Sequence, residues 1–185
     1  MKKIRQSVML MICAVLLLVL LPNTAQAATM ESGTCGENLT WILDYEGTLI
    51  ISGTGPMTEF SDGNNVPWCS FRDYVKKVII EDGVTTIGKQ SFFNCYSLTS
   101  VTIPDSVTTI SRSAFYACYK MTELTIGTGV KTIDKNAFNG CSNLTSVTIP
   151  NSVSTIGEAA FWQCTKLNDL TIGSKVKTIG DSAFG

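Results

Sequence analysis

"LTSVTIPDSVTTISRSAFYACYK", residues 98–120, decides how this chain folds, because it comes back. From Val75 onward the sequence divides into five units in one frame: 75–97, 98–120, 121–143, 144–166 and 167–185. The unit before the quoted one reads VKKVIIEDGVTTIGKQSFFNCYS. Those after it read MTELTIGTGVKTIDKNAFNGCSN, LTSVTIPNSVSTIGEAAFWQCTK and LNDLTIGSKVKTIGDSAFG. The period is 23 residues with no insertion or deletion, and the last unit is incomplete. A fixed period of this length is the mark of a stacked-repeat architecture.

The apolar columns say what each unit does. Leu98, Val101 and Ile103 recur as Leu144, Val147 and Ile149, and two of the three positions are two apart, so they share one face of a short strand. A turn follows at Pro104 and Pro150, replaced by Gly127 and Gly173 in alternate units. Next comes a second apolar pair, Val107/Ile110 or Val130/Ile133, and then an A-F-x-x-C corner. Its phenylalanines, Phe92, Phe115, Phe138, Phe161 and Phe184, are the bulkiest group in each unit. One unit cannot bury so much apolar surface alone, but units stacked like over like bury it in a continuous core. Units two apart match better than neighbours, so a 46-residue superperiod overlies the shorter one.

The pattern L-x-x-L-x-L followed by P-x-x-V-x-x-I-G-x-x-A-F-x-x-C resembles the BspA-like class of bacterial leucine-rich repeats, across residues 75–185. The stretches GTCGENLTW (33–41), ISGTGPM (51–57) and PW (67–68) are similar to the leader that precedes such repeats. The expected fold is mainly β: a right-handed leucine-rich-repeat solenoid of 23-residue units with an N-terminal β-hairpin cap. The usual Asn ladder after the first strand is missing, since Ser106, Gly129, Ser152 and Lys175 stand there. Backbone groups at that bend must be satisfied another way.

Residues 1–27 have the form of a signal peptide. Lys2, Lys3 and Arg5 precede an apolar run of 14 residues, Val8–Leu21, and Ala25-Gln26-Ala27 offers a small-x-small cleavage site. The run is shorter than the ~20 residues a spanning helix needs. The expected product is secreted or held at the cell surface, with no membrane insertion after signal removal. Residues 28–74 read as a cap, in which Leu39, Trp41 and Leu43 alternate ahead of a turn at Tyr45-Glu46-Gly47 and a β-prone Thr48–Ser52. Trp68, Phe71 and Tyr74 are expected to cover the open end of the core. At the other end the final unit lacks a polar cap, which suggests a piece of a longer protein.

Composition excludes much chemistry. The 158 residues after the signal carry 11 Lys and Arg against 15 Asp and Glu, a net charge of −4 with no basic block, so nucleic acid is not an expected partner. The chain has no histidine, which removes the commonest general base and metal ligand. Cys95, Cys118, Cys141 and Cys164 form a column of single cysteines and not a metal cage. Identical positions in a stack point their Cβ atoms the same way, which disfavours ladder disulfides. They are expected to be small core residues beneath the phenylalanines. Cys35 and Cys69 lie outside the repeat register and are candidates for a disulfide closing 33 intervening residues. Glu123, Asp134, Glu158, Asp169 and Asp181 scatter without recurrent pairing, and the serines lack a base, so no enzyme, metal or cofactor is expected.

What remains is surface. Ser100 and Thr102, Glu123 and Thr125, Ser146 and Thr148, and Asp169 and Thr171 alternate with the core positions and are expected to line the concave face. The resemblance implies a non-catalytic module adhering to a host or neighbouring-cell surface macromolecule, protein or glycan. The alternatives are a repeat appendage of a larger exported enzyme and a structural spacer.

Overall fold

The structure is a computed structural model that describes residues 28–185. Residues 1–27, whose sequence has the form of a signal peptide, lie outside the described residues. The N-terminal part is an antiparallel ribbon of β1 (Thr29–Gly36), β2 (Leu39–Asp44) and β3 (Thr48–Gly53). Asp44 closes the β2–β3 turn, its Oδ1 accepting from the Glu46 and Thr48 amides at 2.9 and 2.8 Å. Strand β1 is a member that the hairpin reading did not include.

From β3 the chain turns parallel. It contributes β4 (Gly55–Pro56), β5 (Lys77–Ile80) and β6 (Val84–Ile87), and then one four-residue and one two-residue strand per coil. The longer strands are β7 (Ser100–Ile103), β9 (Glu123–Ile126), β11 (Ser146–Ile149) and β13 (Asp169–Ile172). The shorter are β8 (Thr109–Ile110), β10 (Thr132–Ile133), β12 (Thr155–Ile156) and β14 (Thr178–Ile179). Register advances by one 23-residue unit at every step, as in Ser100 against Glu123 and Thr109 against Thr132. The molecule is a parallel β-solenoid on an antiparallel cap. One sheet runs β1-β2-β3-β5-β7-β9, a second runs β4-β6-β8-β10-β12-β14, and β11-β13 forms a third.

The corner supplies another ladder, made without strand geometry. The amides of Gln90, Phe92 and Asn94 donate to the carbonyls of Arg112, Ala114 and Tyr116, and the three coils that follow repeat the pattern. To aim alternate N–H groups along the stack, the backbone turns left-handed twice per coil. Gln90, Ser113, Asn136, Ala159 and Ser182 occupy the first such position with φ between 53° and 58°. Non-glycine residues adopt this conformation at a cost, which the inter-coil hydrogen bonds offset.

The core is a stack of rings. Phe92, Phe115, Phe138, Phe161 and Phe184 follow one another at centroid distances of 4.9, 5.2, 5.0 and 5.3 Å. Trp68 lies on Phe92 at 5.5 Å and closes the stack, its Nε1–H donating to the Ser91 carbonyl. Aromatic pairs at these separations contribute beyond their buried area.

The 46-residue superperiod has a steric cause. A Cβ on Gly127 would lie 2.4 Å from the Pro104 carbonyl oxygen, and one on Gly173 would lie 2.6 Å from that of Pro150. Each glycine is the residue that fits above a proline turn.

Candidate functional site

The eight outward positions of the long strands share one face and pair in register. Ser100 lies beside Glu123, Thr102 beside Thr125, Ser146 beside Asp169 and Thr148 beside Thr171. Thr102, Glu123, Thr125, Ser146, Thr148, Asp169 and Thr171 are exposed and Ser100 is half-buried. The face is split in the middle, because β9 and β11 are not paired. At neighbouring steps the Thr122 and Glu123 amides donate to Thr99, and the Asn168 and Asp169 amides to Thr145. The equivalent bonds from Thr145 and Ser146 to Thr122 are not made.

Proline weakens this step, since Pro150 has no N–H to complete the ladder. Pro104 has a milder effect one superperiod earlier, where β5 and β7 pair over three residues. Ser152 records the same parting: its buried Oγ has no partner, whereas Ser106 Oγ donates to Val84 and accepts from Gly83. A cavity of about 370 Å³ opens at the seam, lined by Leu124, Thr125, Ile126, Thr128, Ser146, Thr148 and Pro150. The structure thus brings Thr125, Ser146 and Thr148 together and keeps Ser100 and Asp169 away from the cleft.

Side chains at the bend take over the role of the missing Asn ladder. Besides Ser106, Asp105 Oδ1 accepts from the Thr128 amide at 2.6 Å and Asn151 Oδ1 from the Ser174 amide at 2.8 Å. These residues hold the turn and are not free to do chemistry.

The repeat cysteines are buried free thiols. Burial pushes Cys95 and Cys164 from 9.0 up to about 12, and Cys118 and Cys141 well above 9.0. A thiol held protonated is a poor nucleophile. Cys35 and Cys69 are also free thiols, with no bond between them. Cys35 is buried at the end of β1, with its thiol raised by burial to about 11, and Cys69 begins a half-buried 3-10 turn, Cys69–Phe71. Among the described residues no cluster of His, Cys, Asp and Glu is placed to hold a metal ion.

A second hollow lies on the corner, where the sequence reading saw only scattered charges. Asn136, Asn139, Glu158, Ala159, Trp162, Asp181 and Ser182 line a shallow, open hollow of about 470 Å³. Reading the corner columns along the stack at the repeat spacing would have found it: Lys135, Glu158 and Asp181 form one column and Asn139, Trp162 and Gly185 another.

Comparison with known proteins follows the architecture. The description "BspA type Leucine rich repeat region" matches residues 69–185 with six copies, where the repeat frame from Val75 holds five units. No curated protein matches the chain. Among solved structures, a leucine-rich repeat protein of Eubacterium ventriosum is 26% identical with a TM-score of 0.60, covering 78% of this chain and 45% of its own. The T. pallidum leucine-rich repeat protein is 26% identical with a TM-score of 0.58, covering 82% and 65%. A leucine-rich cell surface protein of Faecalibacterium prausnitzii is 27% identical with a TM-score of 0.58, covering 85% and 52%. The chain therefore spans less than two thirds of the length of each of these proteins. Repeat period, corner motif and solenoid agree, and the chain belongs to the BspA-type leucine-rich repeat family.

Proposed function

We propose that this protein is a non-catalytic interaction module, exported or displayed at the cell surface, that holds a macromolecule of a host or neighbouring cell against its long-strand face. The observation that carries this reading is the seam between β9 and β11. No ladder joins the two strands there, the Thr145 and Ser146 amides make no bond to Thr122, and Thr125, Ser146 and Thr148 line the cleft. A partner laid across this face meets hydroxyls and backbone polar groups in register over several coils, with Glu123 and Asp169 to the sides. Repeated weak contacts of this kind add through multivalency. Solenoids commonly bind on such a face, and the F. prausnitzii neighbour is described as a cell surface protein.

The experiment is binding of labelled protein, residues 28–185, to intact mammalian epithelial cells and to bacterial cells, read by flow cytometry. Thr125→Arg and Thr148→Arg, both exposed and separate from the core, are expected to abolish cell binding without changing the circular dichroism spectrum. Undiminished binding by the double variant would overturn the assignment of the face.

A further inference from the structure

We propose that the cap end of the long-strand face carries a docking ridge, Ile42, Ile50 and Ile79, for an amphipathic helix of a partner protein. The inference rests on the interaction-module reading for its face and narrows the partner from any macromolecule to a polypeptide.

The ridge follows from register. Ile42 on β2 lies opposite Ile50 on β3, Ile50 opposite Ile79 on β5, and Ile79 opposite Thr102 on β7. Thr102 leads on to Thr125, so the three isoleucines and the threonines stand in one row across the sheet. Their chain neighbours Trp41, Leu43, Leu49, Ile51, Val78 and Ile80 are buried in the core, and alternation turns the three isoleucines to the outer face. Each is half-buried, because cross-strand neighbours in a row cover one another in part. From the second repeat unit onward the position is threonine, which has the same branching and strand propensity and a hydroxyl for water. Strand formation therefore does not call for isoleucine here. A contiguous aliphatic row on an outer face, rimmed by polar groups, marks an interaction site.

The rims define what fits. Thr40 and Ser52 pair along one side of the ridge, and Thr48 and Lys77 along the other. Lys77 is exposed and makes no ion pair among the described residues, and the exposed Glu81 lies beyond Ser52 on the opposite side. A ridge one residue wide does not suit a bilayer, which would strip water from both rims without replacing their hydrogen bonds. Nor does isoleucine offer a saccharide an aromatic face to stack on. An α-helix meets the spacing. Adjacent strands lie about 4.8 Å apart, so the isoleucines recur at that interval along the row. Side chains on one face of a helix recur once per turn, at about 5.4 Å. Those of an extended strand recur at about 6.8 Å and fall out of step sooner. A helix laid along the row sets its aliphatic face on the isoleucines, with carboxylates towards Lys77 and cations towards Glu81.

The test uses residues 28–185 and a synthetic amphipathic helix with leucine on one face, glutamate on one flank and lysine on the other. Titration is followed by NMR and calorimetry, and the amides of Ile42, Ile50 and Ile79 are expected to shift. Ile50→Thr with Ile79→Thr, which extends the threonine row, is expected to keep the circular dichroism spectrum and to weaken binding at least about tenfold. Lys77→Glu is expected to weaken it several-fold. Absence of shifts at the ridge, or full affinity in the double isoleucine variant, would overturn the proposal. Vesicles of four parts phosphatidylcholine to one part phosphatidylserine are expected not to bind; binding that the double variant loses would give the ridge to a membrane and overturn it too. On epithelial cells, binding is expected to survive periodate oxidation of glycans and to be lost after trypsin treatment, and the converse would overturn it. The two readings fail separately. Peptide binding at the ridge without any cell binding leaves the ridge standing and removes the host-cell reading. Cell binding lost in Thr125→Arg with Thr148→Arg, but kept in the isoleucine variant, leaves the long-strand reading and overturns the ridge.

Discussion

The thiol of Cys118 donates to the backbone carbonyl of Phe92, one coil earlier, at 3.3 Å. Cys141 does the same to Phe115 at 3.5 Å, and Cys164 to Phe138 at 3.4 Å. Each cysteine therefore fills space beside the ring stack and gives a second hydrogen bond to a carbonyl that already accepts from an amide of its own coil, as Phe92 does from Cys95 at 3.2 Å. Alanine fills less and donates nothing. Cys118→Ala is expected to destabilise the protein by about 1 kcal/mol in urea unfolding, the loss of one modest hydrogen bond and of a small buried group, and Cys118→Ser to lose less.

Reactivity follows burial. Cys69 is half-buried, while Cys35, Cys95, Cys118, Cys141 and Cys164 are buried. Under native conditions a maleimide is expected to label Cys69 first, and the other five thiols of residues 28–185 only after denaturation. Mass spectrometry of the labelled peptides checks this, and rapid native labelling of Cys141 would contradict the packing described.

Alkaline pH should weaken the fold through the same groups. Burial raises the folded thiol pKa from 9.0 to about 12 at Cys95 and Cys164, so the folded chain keeps protons that the unfolded chain releases above pH 9. The stability tied to these protons is fully present below pH 9 and is lost as pH rises from 9 towards 12. Each buried thiol contributes a slope of about 1.4 kcal/mol per pH unit in that window. Urea midpoints at pH 8, 9 and 10 are expected to fall only above 9, less steeply in Cys95→Ala.

The ring stack is the largest single packing element. Phe138 is fully buried between Phe115 and Phe161. Phe138→Ala is expected to cost about 3–5 kcal/mol as a large-to-small core change, and a near-neutral melting temperature would show that the stack does not carry the core.

The seam makes a dynamic prediction. Ser146 and Thr148 lie at the step where β11 forms no ladder with β9, whereas Glu123 and Thr125 are paired with β7. Hydrogen exchange followed by NMR is expected to be faster at Ser146 and Thr148 than at Glu123 and Thr125, because exchange reports local opening.

Most of the architecture was legible in the repeat. Columns two apart announced strands, the Phe and Cys columns announced the core, β2 appeared in the alternation of Leu39, Trp41 and Leu43, and β3 in the β-prone Thr48–Ser52. These are local or strictly periodic signals, and a stack converts period directly into contact. Strand β1 was missed because TMESGTCG has no apolar alternation, and its pairing is supplied by β2.

The candidate sites were only half legible. The residues of the long-strand face follow from alternation alone. That the face parts between β9 and β11 depends on whether one proline step keeps its remaining hydrogen bonds, and a repeat that looks uniform in sequence does not reveal this. The corner hollow depends on lateral neighbours 23 residues apart, such as Glu158 and Asp181 or Asn136 and Ala159. Sequence by itself determined the coil, its core and its outward columns, because those depend on period and polarity. Tertiary structure alone decided where the stack opens, because that is set by how one coil meets the next.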